Sequence, residues 1–542
     1  MLMKMKKIRN IILAGLLIFS LGACDEDYLD TVKIGEQTSG SFYSNDAELI
    51  KAANACYAPM WEYHYNWGRT SLNNSTTDDA VDREDLPLRQ FTFDATGFLF
   101  TYNYRYNYRG ILIANQLLAN VEGKDISGVK DKDLQDRVVG EAKFMRAYYY
   151  YDLVKNYGGV PLVTVPLLGG DLNQTRATSA AVYAQIETDL NDAVAALPLK
   201  SVYAASGELG RATKGAALGL LVKVCASQAS SGFATQDFYN ENKWEDAKTY
   251  AEQLFALGTY DLYQGAYHDL FSEAEENNEE SIFEVQFYDS PLDDGAYTNN
   301  GNFTTFLNMP WLGAADPYGR YQATYDLYLE FENGDPRRDA SLINSLQYAD
   351  QWILEGETPG VVAEDLTGFS NYKHYLSKEQ YLNLGNFRNS PVNERIIRLS
   401  DIYLLYAEAC FHTSDEGTSR IYLNKVRERA RQGNASILAD ITVSGTALLD
   451  AIYHERRVEL CGEGHRLHDL IRTGRLEKEL KTDGYKVKAS ITRDGLGGYV
   501  VADSGEPIFK ATNLKMPKNI FFPLPQSEVD NSGGLVEQNP GY

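Results

Sequence analysis

The sequence predicts a mainly α-helical protein in which tetratricopeptide-like helix pairs form the scaffold, with large irregular insertions and a few short strands. Three observations lead there. Apolar residues recur at three- and four-residue steps over long segments, which marks the buried face of a helix. Similar features return after 68 residues: Leu153-Val154-Lys155 reappears as Leu221-Val222-Lys223, and Leu254 follows Ile186 at the same shift. That shift is two tetratricopeptide lengths, and paired helices stack because neither member buries its apolar face alone. Hydrophobic residues make up 44% and charged residues 23% of the 542, enough apolar content to build a core.

The elements follow in order. Lys4, Lys6, Lys7 and Arg9 form a basic head before an apolar stretch from Ile11 to Leu21. Eleven residues are too few to span a bilayer as a helix, so residues 1–23 read as a secretory signal. Leu21-Gly22-Ala23-Cys24 resembles the lipobox of bacterial lipoproteins, which makes Cys24 the lipidated residue. Residues 24–40 read as an acidic linker. Its Asp25-Glu26-Asp27 resembles the signal that sends lipoproteins of the Bacteroidetes group to the outer cell surface. Cleavage before Cys24 removes four basic residues and no acidic one, taking the net charge from −24 to −28.

Residues 41–542 read as one domain. Leu134, Val138, Ala142, Met145, Tyr149 and Leu153 share a helical face, and Asn156-Tyr157-Gly158-Gly159 with Pro161 ends it. Val182, Ile186, Leu190 and Val194 give the next helix, stopped by Pro198. A third runs from about Thr213 to Ser230, and a fourth carries Trp244, Ala247, Ala251 and Leu254. Helical repeats therefore occupy about 130–258, and a second block about 396–475. Two stretches look irregular, about 61–101 and 258–395, where Tyr, Asn, Gly, Asp and Pro dominate. Within the second, Ile282 to Phe287 reads as a strand. Irregular insertions on a rigid scaffold usually carry function.

Several chemistries are excluded. With 75 acidic against 51 basic residues, phosphate backbones are repelled, so nucleic acid is not a partner. Cys56, Cys225, Cys410 and Cys461 show no C-x-x-C spacing and lie in apolar helix-like stretches, which reads as buried free thiols. His454-Glu455 lacks a second histidine four residues on, since Val458 stands there, so the metalloprotease motif fails. No nucleophile elbow, phosphate loop or dinucleotide motif is present, and the sequence calls for no catalytic residue, cofactor or metal.

The chain resembles the SusD/RagB family of nutrient-binding outer-membrane lipoproteins along nearly its whole mature length. The residues that carry this are His454 to Leu460, Gly462-Glu463-Gly464-His465-Arg466 and Asp469-Leu470-Ile471-Arg472. Arg398 to Asp401 leading to Tyr406-Ala407-Glu408-Ala409, Leu423 to Arg427, Pro525 to Asn531 and Gln538 to Tyr542 add to it. The resemblance implies helix pairs beneath an irregular ligand-binding face, and a SusC-like TonB-dependent barrel that the lipoprotein caps. Glu455, Arg456, Glu459, Arg466, Asp469 and Arg472 lie at helical spacings around the Gly462–Gly464 break, and read as a structural ion-pair network.

Sugar rings present apolar C–H faces rimmed by hydroxyls, so a binding face needs flat aromatics beside Asn, Asp and Arg. Tyr63 to Arg69 has that composition and reads as a loop, giving Tyr65, Trp67, Arg69, Asn73 and Asp78 as ligand candidates. Tyr102, Tyr104, Tyr106 and Tyr108 alternate as a strand would. Tyr104, Tyr108, Ile111 and Asn115 also share a helical face, and the family has a helix here. Helix is the better reading, with Tyr104 and Tyr108 as core and Tyr102 as a ligand candidate. Trp311, Tyr318 and Tyr321 form a third aromatic cluster. The expected function is a non-enzymatic surface lipoprotein, anchored in the outer membrane and facing outward. It captures oligosaccharides for the barrel. A peptide ligand, or a purely structural lid role, is the alternative.

Overall fold

In the computed structural model, the structure describes residues 42–167, 173–289, 301–309, 319–351, 365–373, 375–384 and 389–542. The signal segment, the linker, Cys24, Trp311 and Tyr318 lie outside them. The longer helices are α1 (Asp46–Tyr57), α2 (Tyr63–Asn74), α3 (Phe98–Val121), α4 (Lys132–Tyr157), α5 (Ser179–Ala196), α6 (Lys214–Ala229) and α7 (Lys243–Ala256). They continue with α8 (Leu399–His412), α9 (Glu416–Ala430), α10 (Thr446–Leu460) and α11 (Arg466–Arg472).

The predicted scaffold is present. Side chains cap the helix starts: Asp131 accepts from Leu134, Thr178 from Ala181, Thr213 from Ala216 and Asp415 from Thr418. Gly158, at φ +72°, ends α4 in a conformation that a residue with a Cβ adopts only at a cost. Neighbours pack in succession, α3 on α4, α4 on α5, α5 on α6, α6 on α7, α7 on α8 and α8 on α9. The 68-residue correspondence falls on buried positions: Leu153, Leu221, Ile186 and Leu254 are all at most 1% exposed. From Phe144 to Val154, α4 is buried on every side, with Arg146 held by Asp189 at 2.6 and 2.8 Å. The helix Phe98–Val121 confirms the reading of its tyrosines: Tyr104 is buried, and the half-buried Tyr108 packs against the core. All four cysteines of the described chain are buried and unpaired.

Among the described residues, eight short strands form four antiparallel pairs. Ala80–Asp82 (β1), Ser281–Val285 (β2), Tyr321–Ala323 (β3), Leu342–Asn344 (β4), Phe369–Asn371 (β5), Glu394–Arg398 (β6), Ala489–Arg493 (β7) and Tyr499–Asp503 (β8) pair as β1–β3, β2–β6, β4–β5 and β7–β8. The β2–β6 pair joins the two ends of the stretch between the helical blocks. Within that stretch short helices alternate with strands, for example Phe303–Asn308 and Tyr325–Glu330.

One expectation is corrected. Tyr63 to Asn74 is a helix, not a loop. Its buried face is polar, with Asn66, Arg69, Thr70, Ser71 and Asn73 all turned inward, so hydrophobic periodicity gave no signal. It also packs closely on α3. A Cβ at Gly68 would stand 3.0 Å from both the Asn103 nitrogen and the Leu99 carbonyl oxygen.

Candidate ligand-binding face

Helices α2 and α3 lie against each other and bring one set of rings to the surface. The Trp67 ring sits 5.1 Å from Phe98 and 6.4 Å from Tyr102, and Phe98 sits 5.4 Å from Tyr102. His64 adds a ring 4.4 Å from Tyr102 and stacks on Tyr106 at 6.3 Å with planes 6° apart. Phe98 is 45% exposed, while His64, Trp67, Tyr102 and Tyr106 are half-buried. Beneath them Tyr63, Phe303, Leu307 and Tyr321 form a packed floor. Arg320 lies 4.9 Å over the Trp67 ring and is fixed there by Asp82 at 3.1 Å.

Among the described residues, carboxylates beside this face are paired with arginines. Arg320 engages Asp82 and Glu84, and Arg109 engages Glu62. Burial, and then the nearby Arg105 charge, push the His64 imidazole below its ordinary value, so it is neutral at pH 7 and presents a flat ring. The arrangement offers flat faces for stacking and, at its rim, the exposed guanidiniums of Arg105 and Arg109.

Of the residues expected to contact ligand, Trp67 and Tyr102 meet on this face. Tyr65 does not: it is fully buried in the main core. Arg69 pairs with Glu394, and both are under 10% exposed. Asn73 lines an interior cavity of about 70 Å³ together with Arg69, Glu394, Lys223, His465 and His468. Asp78 is held by Arg466 at 2.6 Å and Arg457 at 3.1 Å, which pull its carboxyl well below the usual range. Tyr321 is buried and shares a hydrogen bond with Ser71. These five inward placements have one cause, the polar inner face of α2 and of the turn after it. His64, Phe98 and Tyr106 are the members that composition missed. Their signal was spacing, since Phe98, Tyr102 and Tyr106 stand four residues apart on one helical stripe.

The motif charges form the buried network that the sequence suggested. Arg456 bonds Asp401 at 2.8 Å and reaches Asp469, across the glycine break, at 3.1 Å. Arg472 holds Glu408 in a fork at 2.7 and 2.8 Å, and Asp469 at 2.7 Å. Glu459 sits among Arg337, Arg398 and Arg429. Every one of these groups faces another protein charge, which fits a structural role.

Comparison with known proteins adds the following. A family model described as the SusD family matches residues 252–542, and one described as starch-binding associating with outer membrane matches residues 27–225. A SusD-like protein of Bacteroides ovatus is 26% identical over 96% of this chain and 96% of its own. SusD-like protein P25 of Formosa agariphila is 26% identical, over 86% of this chain and 90% of its own. Among solved structures, a laminarin binding SusD-like protein is 27% identical with a TM-score of 0.72, covering 92% of this chain and 100% of that one. A SusD homologue from Bacteroides thetaiotaomicron is 26% identical with a TM-score of 0.77, covering 93% and 98%.

Proposed function

The chain belongs to the SusD family, and on that premise we propose that it is a surface glycan-binding lipoprotein that captures oligosaccharides and hands them to a TonB-dependent outer-membrane transporter. The observation that carries the reading is the half-exposed ring cluster of His64, Trp67, Phe98, Tyr102 and Tyr106. Pyranose C–H faces stack on such rings and gain apolar contact while their hydroxyls stay hydrated. The similarity to a laminarin binding relative supports a saccharide as the ligand class. The carboxylates nearest the rings are engaged by arginines, which supports binding without hydrolysis. Lipid on Cys24 anchors the chain to the outer membrane, and the SusC-like barrel is the partner that receives the ligand. No helix among the described residues is long and apolar enough to cross a membrane, which fits attachment by lipid.

The test is titration calorimetry of the chain from residue 25 with laminarin and a panel of neutral oligosaccharides. Trp67→Ala with Tyr102→Ala is expected to weaken binding roughly tenfold or more, with circular dichroism checking the fold because Trp67 also packs on the floor. No reducing ends should appear on long incubation. Binding of a peptide library in place of every saccharide would replace the ligand class. Binding to the barrel alone, with no small ligand, would leave only the lid role.

A further inference from the structure

The opposite side of α3 opens onto a second cavity, of about 360 Å³, within the usual size for a small-molecule site. Tyr104, Arg105 and Tyr108 form one wall. Asn173 stands opposite, with Glu528 and Asn531 of the short helix Gln526–Asn531. That helix holds most of the Pro525–Asn531 motif, which the ring face does not use. Val163 and Val536 add apolar surface.

One polar group here, the Tyr104 hydroxyl, is left over from folding. Tyr104 is 3% exposed. Its hydroxyl faces that of Tyr108, but the Tyr108 proton goes to the Pro161 carbonyl at 2.7 Å, and the Tyr104 hydroxyl has no partner of hydrogen-bonding geometry. A buried hydroxyl left unmatched costs about 1–3 kcal/mol. Glu528 is close enough for its charge to help hold both tyrosine pKa values up, and burial alone raises its own carboxyl, with no cation drawing it back down. Arg105, exposed on the helix, forms no ion pair among the described residues.

We propose that this cavity is a second saccharide site, which takes a neutral pyranose unit of the same oligosaccharide whose other end lies on the ring face. The proposal rests on the glycan reading above. The lining carries one guanidinium, Arg105, and one carboxylate, Glu528, so it presents no charge of a single sign to a ligand. The lining also offers a phenol hydroxyl, a carboxylate, three amides and the Ser532 hydroxyl, a hydrogen-bonding set for vicinal hydroxyls, beside the Tyr108 ring. The two sites are joined through Arg105. At about 100° per residue it stands about 60° from Tyr108 on one side and about 60° from Tyr102 on the other. Its charge also acts on His64 of the ring face.

The experiment is an array of β-1,3-, β-1,4- and α-1,4-linked gluco-oligosaccharides of two to eight units, with oligogalacturonides as the charged series. It is probed with wild type, Tyr104→Phe, Glu528→Gln and Trp67→Ala, each checked by its melting temperature. Tyr104→Phe removes only the unmatched oxygen, so it should fold as well as wild type. Both cavity variants are expected to bind hexasaccharides and longer about tenfold more weakly, and di- and trisaccharides unchanged. Trp67→Ala should lose both. Cavity variants that match wild type at every length overturn the second site and leave the ring face standing. Loss in the cavity variants with Trp67→Ala unaffected overturns the ring face instead. A wild type that binds only the charged series, or no saccharide, refutes the proposal outright.

Discussion

Glu459→Gln gives the sharpest reading of what holds this fold together. Glu459 is 0% exposed and receives hydrogen bonds from Arg337 at 3.1 Å, Arg398 at 3.0 Å and Arg429. Around it Arg337, Arg398, Arg427, Arg429 and Lys373 are matched by Glu280, Asp335, Glu455, Glu459 and Glu463. The glutamine keeps the shape and removes one negative charge, which leaves the buried set one positive charge in excess. Removing one member of a buried pair typically costs about 3–5 kcal/mol. Unfolding entropy of about 2.1 cal/mol/K per residue over roughly 500 residues converts that to a fall of about 3–5 °C in melting temperature. The assay is differential scanning calorimetry, with far-UV circular dichroism as a second probe. Adding Arg429→Met to Glu459→Gln removes a cation as well, and should return at least half of the loss. A single variant that melts within 1 °C of wild type would refute the claim that charge balance, not shape, is what Glu459 supplies.

Two further outcomes are expected. Burial, and then the Lys223 charge, push His465 down to about 3, so it stays neutral in the fold. Its contribution is complete above the unfolded value near 6.5 and is lost as pH falls toward 3, a direction opposed by Glu276, which burial pushes up to about 7. His465→Asn should therefore reduce the slope of unfolding free energy against pH between 6.5 and 4.5 by about 1.4 kcal/mol per unit, read from denaturant titrations, and an unchanged slope sinks the assignment. Gly110→Ala in α3 places a methyl inside the ring of Tyr149, which cannot retreat because its hydroxyl is bonded to the Cys56 carbonyl at 2.8 Å. Overpacking of this kind costs about 1–3 kcal/mol and outweighs the better helix propensity of alanine, so a melting temperature at or above wild type would show that the ring moves.

The scaffold was legible because its helices are built on apolar stripes with Gly and Pro stops, and because Leu153 and Leu221 occupy matching core positions. The charged motifs were legible as structural, since their spacing clusters them on facing turns. Their partners from distant segments, such as Arg337 for Glu455, left no trace in spacing. Helix α2 was not legible. It buries Asn66, Arg69 and Asn73, residues that composition assigns to a wet loop, and it uses Gly68 for a close approach that only a packed neighbour explains. The same polar face explains why Tyr65, Arg69, Asn73, Asp78 and Tyr321 looked like ligand groups. They serve the interior, and of the candidates among the described residues Trp67 and Tyr102 reach the surface rings.

The pairing of β2 with β6 has an evolutionary consequence. The strands lie side by side, so the stretch they bracket starts and ends at one doorway of the frame. A stretch with that geometry behaves as an exchangeable cassette: its length and tips can drift while the stacked hairpins keep their register. The freedom is bounded by a few clasps. Arg320 to Asp82, Asp326 to Arg457, Arg337 to Glu455 and Lys373 to Glu463 fasten the cassette to the frame. Homologues are expected to keep these clasps and rewrite the rest.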